Sequence, residues 1–203
     1  MGAESETCSG SVPQVFDLPD TEIWFHPALF DAAESDRLFT TLLQETPWKQ
    51  EDITLYGQTM RQPRLTAWYG EASYTYSGLT LSPAPWTATL SEIKTRIESL
   101  SHLTFNSVLL NLYRNGNDSV SWHSDDEPEL GKNPAIASVS FGATRRFMLR
   151  HKSDKSLKKA IDLPHGSFLL MRGETQHHWQ HQIPKTAKLV QPRINLTYRV
   201  VRE

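Results

Sequence analysis

Cysteine is nearly missing from this sequence: Cys8 is the single one in 203 residues. One thiol can form no internal disulfide and no thiolate metal site, so any metal must be held by histidine and carboxylate. The same scarcity favours a reducing compartment, cytoplasmic or, in a eukaryote, nuclear, over secretion. No apolar run approaches the ~20 residues that cross a bilayer, so no membrane partner is expected. The N-terminus lacks a basic start followed by an apolar block, and residues 1–14 read as a disordered tail rather than a signal peptide. Excess charge of one sign is also absent: 21 Lys and Arg stand against 23 Asp and Glu, a net charge of −2. Attachment to nucleic acid therefore cannot rest on bulk positive charge. A local basic run does exist at residues 145–159, where Arg145, Arg146, Arg150, Lys152, Lys155, Lys158 and Lys159 face only Asp154. Taken alone, such a run reads as a solvated loop.

What is present is a hydrophobic content of 38% and enough length for one domain with a real core. Residues 23–27 read as a short strand. Residues 31–45 read as an amphipathic helix with Asp31 as cap and Leu38, Leu42 and Leu43 at helical spacing, ended by Pro47. Residues 48–69 look like strands broken by Gly57 and Pro63, and residues 71–85, rich in Tyr, Ser, Gly and Pro, read as loop. A second helix spans 86–103, with Leu90, Ile93, Ile97 and Leu100 on one face. From residue 105 the pattern changes to short β-branched and aromatic runs: 105–113, 120–124, 136–141, 146–150, 160–163, 167–171, 178–182 and 193–201. About eight such strands predict an all-β barrel, and two helices packed on an eight-strand jelly roll is the simplest architecture. No linker or repeat divides the chain, and a monomer is expected.

The chemistry concentrates after Asn111. A strand shows residues i and i+2 on one face, so His123 and Asp125 can point at one atom. A third ligand from a distant strand would complete two histidines and one carboxylate, the open arrangement that suits Fe(II) in oxygenases. His177, His178 and His181 are the candidates. His178 and His181 have opposite parity on a strand and cannot both face the metal, and spacing alone leaves the choice open. On the last strand Arg193, Asn195, Thr197 and Arg199 share one face, and Ile194, Leu196, Tyr198 and Val200 share the other. Asn111 and Tyr113 likewise share a face. A plain reading puts the polar face in solvent; turned inward, it would line a pocket for a small dianion, because a buried arginine needs an anionic partner.

Asn111-Leu-Tyr113, His123-Ser-Asp-Asp126, Ile136-Ala-Ser-Val-Ser-Phe-Gly142, His165-Gly-Ser167 and Pro192-Arg-Ile-Asn-Leu-Thr-Tyr-Arg199 occur in order at compatible distances. Together they resemble the AlkB family of Fe(II)- and 2-oxoglutarate-dependent dioxygenases, over about residues 24–201. With Tyr76-Ser-Gly-Leu-Thr-Leu-Ser-Pro83, the pattern is most similar to the subgroup acting on DNA. The resemblance implies an α+β, mainly β fold. This is a double-stranded β-helix (jelly roll) barrel with two supporting N-terminal helices, in a single domain 15–203. A nucleotide-recognition lid at about 48–85 would precede a core at about 105–203. It implies Fe(II) held by His123, Asp125 and His181, with 2-oxoglutarate and O2 as co-substrates. Arg193, helped by Tyr113, would pair with the distal carboxylate of 2-oxoglutarate, and Asn111, Thr197 and Arg199 would make its other contacts.

The implied reaction is oxidative demethylation of N-alkylated bases such as 1-methyladenine and 3-methylcytosine, in single- or double-stranded DNA. It releases formaldehyde, succinate and carbon dioxide, and the base must be flipped out to be reached. Methylated RNA, or a protein hydroxylated by the same fold, are the alternative substrates. The resemblance assigns Asp126 to the exocyclic amine of the damaged base, although Asp126 has opposite parity to Asp125 on a regular strand. Tyr74, Thr75 and Tyr76 match the base pocket, with Tyr76 stacking on the flipped base opposite His123. Tyr56, Gly57 and Gln58 match a hairpin tip that wedges into the duplex; here the tyrosine has no basic neighbour. Arg61 and Arg64, with Arg145, Lys152, Lys158 and Lys159, are candidates for phosphate contacts.

Overall fold

The structure is a computed structural model. It describes residues 13–55, 58–71, 74–76, 79–81 and 83–202, and only the backbone of residues 53–55, 58, 74–76 and 79–81. The N-terminal part contributes β1 (Gln14–Val15), β2 (Glu22–His26) and α1 (Ala32–Glu45). Asp31 caps α1 in a reciprocal box: its Oδ1 accepts from the Glu34 N–H at 2.8 Å and Glu34 Oε2 accepts from the Asp31 N–H at 3.2 Å. There follow β3 (Asp52–Leu55), β4 (Gln58–Arg61), β5 (Leu65–Gly70), β6 (Tyr74–Tyr76), β7 (Leu79–Leu81) and α2 (Ala88–Ser101). The remainder holds β8 (Ser107–Tyr113), β9 (Val120–His123), β10 (Ile136–Gly142), β11 (Arg145–His151), β12 (Lys158–Leu163) and β13 (Ser167–Arg172). A single helical turn, α3 (Thr175–His178), precedes β14 (Trp179–Ile183) and β15 (Arg193–Arg199).

The strands form a seven-stranded sheet in the order β1-β2-β13-β10-β15-β8-β5 and a four-stranded sheet in the order β12-β11-β14-β9. The eight strands expected from residue 105 onward are thus divided four and four between two facing sheets, with β11 and β12 forming a hairpin within the smaller one, as in a jelly roll. The larger sheet is covered on both faces. Leu38, Leu42, Leu90, Ile93 and Ile97 of the helices pack on Leu110, Val139, Ile194, Leu196 and Tyr198. Trp68, Leu109, Ile136 and Met171 on its other face meet Phe147, Leu149, Trp179 and Ile183 of the smaller sheet. This double cover explains why every residue of β8 and β15 is buried. The site therefore lies between the sheets, on the face of β15 turned away from the helices. No helix among the described residues is long and apolar enough to cross a membrane.

Two expectations are corrected and one is refined. Residues 71–85 are not all loop: β6 and β7 pair antiparallel, Tyr74 opposite Leu81 and Tyr76 opposite Leu79. The Tyr-Thr-Tyr and Leu-Thr-Leu triplets have strand propensity that the flanking Ser, Gly and Pro residues obscure. The strand expected at 146–150 is found as β11, where Arg145, Phe147, Leu149 and His151 alternate inward, so this part of the basic run is not a solvated loop. Gln14 belongs to β1, opposite Phe25, so the folded part begins before residue 15; residues 1–12 lie outside the described residues.

Candidate active site

β9 and β14 are cross-strand neighbours, and His123 lies directly opposite His181. Their ring centroids are 4.2 Å apart. His123 Nδ1 is 2.8 Å from the Ser121 carbonyl; donating there, it leaves Nε2 as the metal-facing lone pair. Asp125 arrives by a different route from the one strand parity suggests. β9 ends at His123, and Asp125 lies beyond it, its backbone N–H bonded to Gln176 Oε1 at 3.0 Å. One donor atom from each of His123, Asp125 and His181 falls within 4.8 Å of the others. His178 is placed elsewhere: it is about two-fifths exposed and 3.7 Å from Glu174. His177 bonds Asn133 at 2.9 Å.

The electrostatics suit a cation at this point. Burial, joined by His123 and opposed by Asp125, pushes His181 down to about 3; the imidazole is neutral with its lone pair available. Burial also lowers His123, against Asp125. Burial favours the neutral form of Asp125, yet Arg199, His181 and His123 together outweigh it and hold the carboxyl below its ordinary value. Arg199 Nη2 donates to Asp125 Oδ1 at 2.6 Å, a charge-assisted bond that fixes the carboxylate.

The same cavity continues along β15 and β8, past Thr197, Asn195 and Asn111, to Arg193 and Tyr113. Arg193 is 1% exposed. Its Nη2 donates to Ser140 Oγ at 2.9 Å, and its guanidinium lies 5.1 Å from the Tyr113 ring centroid. Nε and Nη1 have no hydrogen-bond partner among the described residues. Burial lowers its pKa to about 10, Tyr113 opposing and Arg145 adding to the effect. A buried guanidinium with unmet donors requires an anion, so the pocket fits a dicarboxylate between Arg193 and the metal position. Asn195 is occupied structurally, donating to Ser138 Oγ at 2.7 Å and Val139 O at 3.1 Å and accepting from Thr197 at 3.1 Å.

Several residues sit where the sequence reading did not put them. Arg64 is 6% exposed and its Nε donates to Asn111 Oδ1 at 2.7 Å. It is a wall of the cavity, which corrects the expectation of a surface phosphate contact. Arg145 is likewise buried, bonded to the carbonyls of Asn115, Asp118 and Pro184, and is withdrawn from phosphate. Lys159 lies 4.8 Å over the Phe16 ring, and Arg61 stands exposed, 3.7 Å from Asp52. Asp126 faces outward, with Oδ2 2.9 Å from Lys152 Nζ. Tyr74, Thr75 and Tyr76 form β6, and Gln58 opens β4; the backbone alone is described there. Tyr56 and Gly57 lie outside the described residues. Gln176, Ser138 and Ser140 were not anticipated. The serines carried a signal: they alternate with Ala137, Val139 and Phe141 and lie opposite Thr197 and Asn195.

A second group, Asp20, His151 and His178, also places three donor atoms within 4.8 Å. There His151 Nδ1 accepts from the Asp154 N–H at 3.1 Å. The ring proton therefore sits on Nε2, 3.3 Å from Asp20, and no lone pair faces a metal.

A jelly roll with two histidines and a carboxylate at one end of an inter-sheet cavity, and a buried guanidinium at the other, has the layout of a metal-dependent oxygenase acting with a carboxylate co-substrate. The chain belongs to the AlkB family within the 2OG-Fe(II) oxygenase superfamily, whose family model matches residues 22–199. It is 47% identical over 190 residues to the human alpha-ketoglutarate-dependent dioxygenase alkB homolog 3, covering 89% of this chain and 66% of the human protein. It is 39% identical over 188 residues to the mouse DNA oxidative demethylase ALKBH2, covering 87% and 79%. Against the alkB homolog 3 proteins of human and cattle, the chain spans 66% and 64% of their length. The solved structure of OsALKBH1 superposes with a TM-score of 0.66 at 16% identity, over 91% of this chain and 99% of that one, which speaks for the fold.

Proposed function

We propose that the protein demethylates N-alkylated bases in DNA, 1-methyladenine and 3-methylcytosine among them, using Fe(II), 2-oxoglutarate and O2. The observation that carries this reading is one cavity with a two-histidine, one-carboxylate set at one end and a guanidinium with unmet donors at the other. The mouse relative is named a DNA oxidative demethylase, which supports DNA as the substrate.

His123, Asp125 and His181 would hold the iron, and Arg193 would receive the far carboxylate of 2-oxoglutarate. When bound, the iron and its co-substrates supply oxidation of the N-methyl carbon, which leaves as formaldehyde beside succinate and carbon dioxide. The remaining work belongs to side chains. Arg199 keeps Asp125 ionised and aimed. Arg64, taking the Asn111 carbonyl oxygen, turns the Asn111 amide nitrogen away from itself as a donor for the co-substrate. Leu109, Ile136, Phe147, Met171 and Ile183 give the cavity an apolar wall that excludes water. Asp126 would accept from the exocyclic amine of a flipped, cationic base, which must compete with Lys152 for the carboxylate. A monomer in the cytosol or nucleus completes the proposal.

The test is formaldehyde release, with the accompanying mass change, from oligonucleotides carrying either lesion, in single-stranded DNA, duplex DNA and matched RNA. Turnover on DNA that requires both iron and 2-oxoglutarate is the expected result. Turnover on RNA alone would move the substrate to RNA, and none on any strand with iron loaded would overturn the reading.

A further inference from the structure

Asp125 and Asp126 are adjacent carboxylates that end up facing opposite ways, and the strand does not separate them. β9 stops at His123, so no ladder hydrogen bond aligns the two residues. The bond that does reach Asp125 comes from α3: the Gln176 side chain, 0% exposed, accepts the Asp125 N–H at 3.0 Å. The other end of that amide meets Met171 Sδ at 3.6 Å, a weak acceptor on the cavity wall. The amide has one stable orientation, because turning it over would set two N–H donors against each other. The main-chain carbonyl of Gln176 accepts from Lys152 Nζ at 2.9 Å, and the same Nζ holds Asp126 Oδ2 at 2.9 Å. Ser124, between His123 and Asp125, donates to Trp179 O at 2.9 Å, at the other end of the same turn.

We infer that Gln176 is a positioning residue that aims the metal ligand Asp125 through its backbone N–H, while Lys152, anchored on the same turn, draws Asp126 outward. The inference rests on the metal centre proposed above. Groups that orient a ligand in this manner are worth roughly 10–100-fold in metal affinity.

The experiment is titration of the purified full chain with Mn2+, read as the EPR signal of the free ion, alongside the melting temperature of the metal-free protein. Gln176→Met, near in size but without an acceptor, is expected to weaken Mn2+ binding by about 10–100-fold. Gln176→Glu, which keeps an acceptor oxygen, should bind within about threefold of the parent, a rescue that a merely space-filling role would not produce. Should Gln176→Met fail to fold, Gln176→Asn, one methylene too short to reach, is expected to show the same weakening. Parent-like Mn2+ affinity in a folded Gln176→Met or Gln176→Asn would overturn the assignment, as would equal losses in Gln176→Met and Gln176→Glu. Absence of Mn2+ binding by the parent would instead overturn the metal centre, and the inference with it.

Discussion

Arg193 and Arg199 stand on one face of β15, both buried, yet their surroundings differ. Arg199 has a carboxylate partner, Asp125 at 2.6 Å, whereas Arg193 bonds the neutral Ser140 hydroxyl and makes no ion pair among the described residues. The first tunes the metal site and the second awaits a ligand. Replacing Arg193 by Lys keeps the charge but loses the planar fork. It should weaken 2-oxoglutarate binding by about 10–100-fold, the loss of one charge-assisted bond, measured as the dissociation constant with Mn2+ present. The two histidine candidates separate in the same manner. His181→Ala should abolish high-affinity Mn2+ binding, because it removes one of three ligands. His178→Ala should leave it within about twofold, because a partly exposed residue away from the cavity contributes little beyond ordinary surface effects. Loss in the second variant alone would reverse the assignment.

Among the elements, β15 does most to organise the molecule. Its apolar face closes the helix-side core and its polar face lines the cavity. Tyr198 ties that strand to α2 by donating to the Leu90 carbonyl at 3.0 Å. Burial, reinforced by Glu98, raises Tyr198 well above its ordinary pKa. The folded state thus holds the proton more tightly than the unfolded chain. Its contribution is complete below pH about 10, where both states are protonated, and is lost as pH climbs from there toward the folded value. Urea midpoints measured from pH 9 to 11 should fall more steeply for the parent than for Tyr198→Phe. The approach of α1 to the larger sheet depends on Gly166, at φ +76°, whose carbonyl accepts from the N–H groups of Leu29 and Phe30. A methyl there would collide with Ser35 Oγ and the Phe30 carbonyl. Gly166→Ala should cost more than about 1 kcal/mol in a urea melt, and a neutral outcome would show that the helix can shift.

Across the whole molecule, metal and co-substrate held as proposed would bridge two sheets, since His181 and His123 belong to the smaller and Arg193 to the larger. Binding should therefore stabilise the entire fold. Mn2+ with 2-oxoglutarate at about 100 times the dissociation constant contributes roughly 2.7 kcal/mol, about 5–10 °C in melting temperature for a chain of this size. A rise with Mn2+ alone but none on adding 2-oxoglutarate would count against Arg193 as the carboxylate anchor.

The donor types, with thiolate excluded and His-x-Asp present, are legible in the chain, as is the alternation that divides β15 into a polar and an apolar face. So are the α1 cap and the existence of eight late strands. These are local properties, set within one turn or along one strand. Which face of β15 is enclosed follows from the folded structure, because parity separates faces without saying what covers them. Folding places His181 opposite His123 by strand register and turns Arg64 and Arg145 inward. It brings Gln176 to the backbone of Asp125 across 51 residues of chain. Such contacts arise from closing one sheet over another, and no periodicity in the chain encodes which distant strand will be the neighbour.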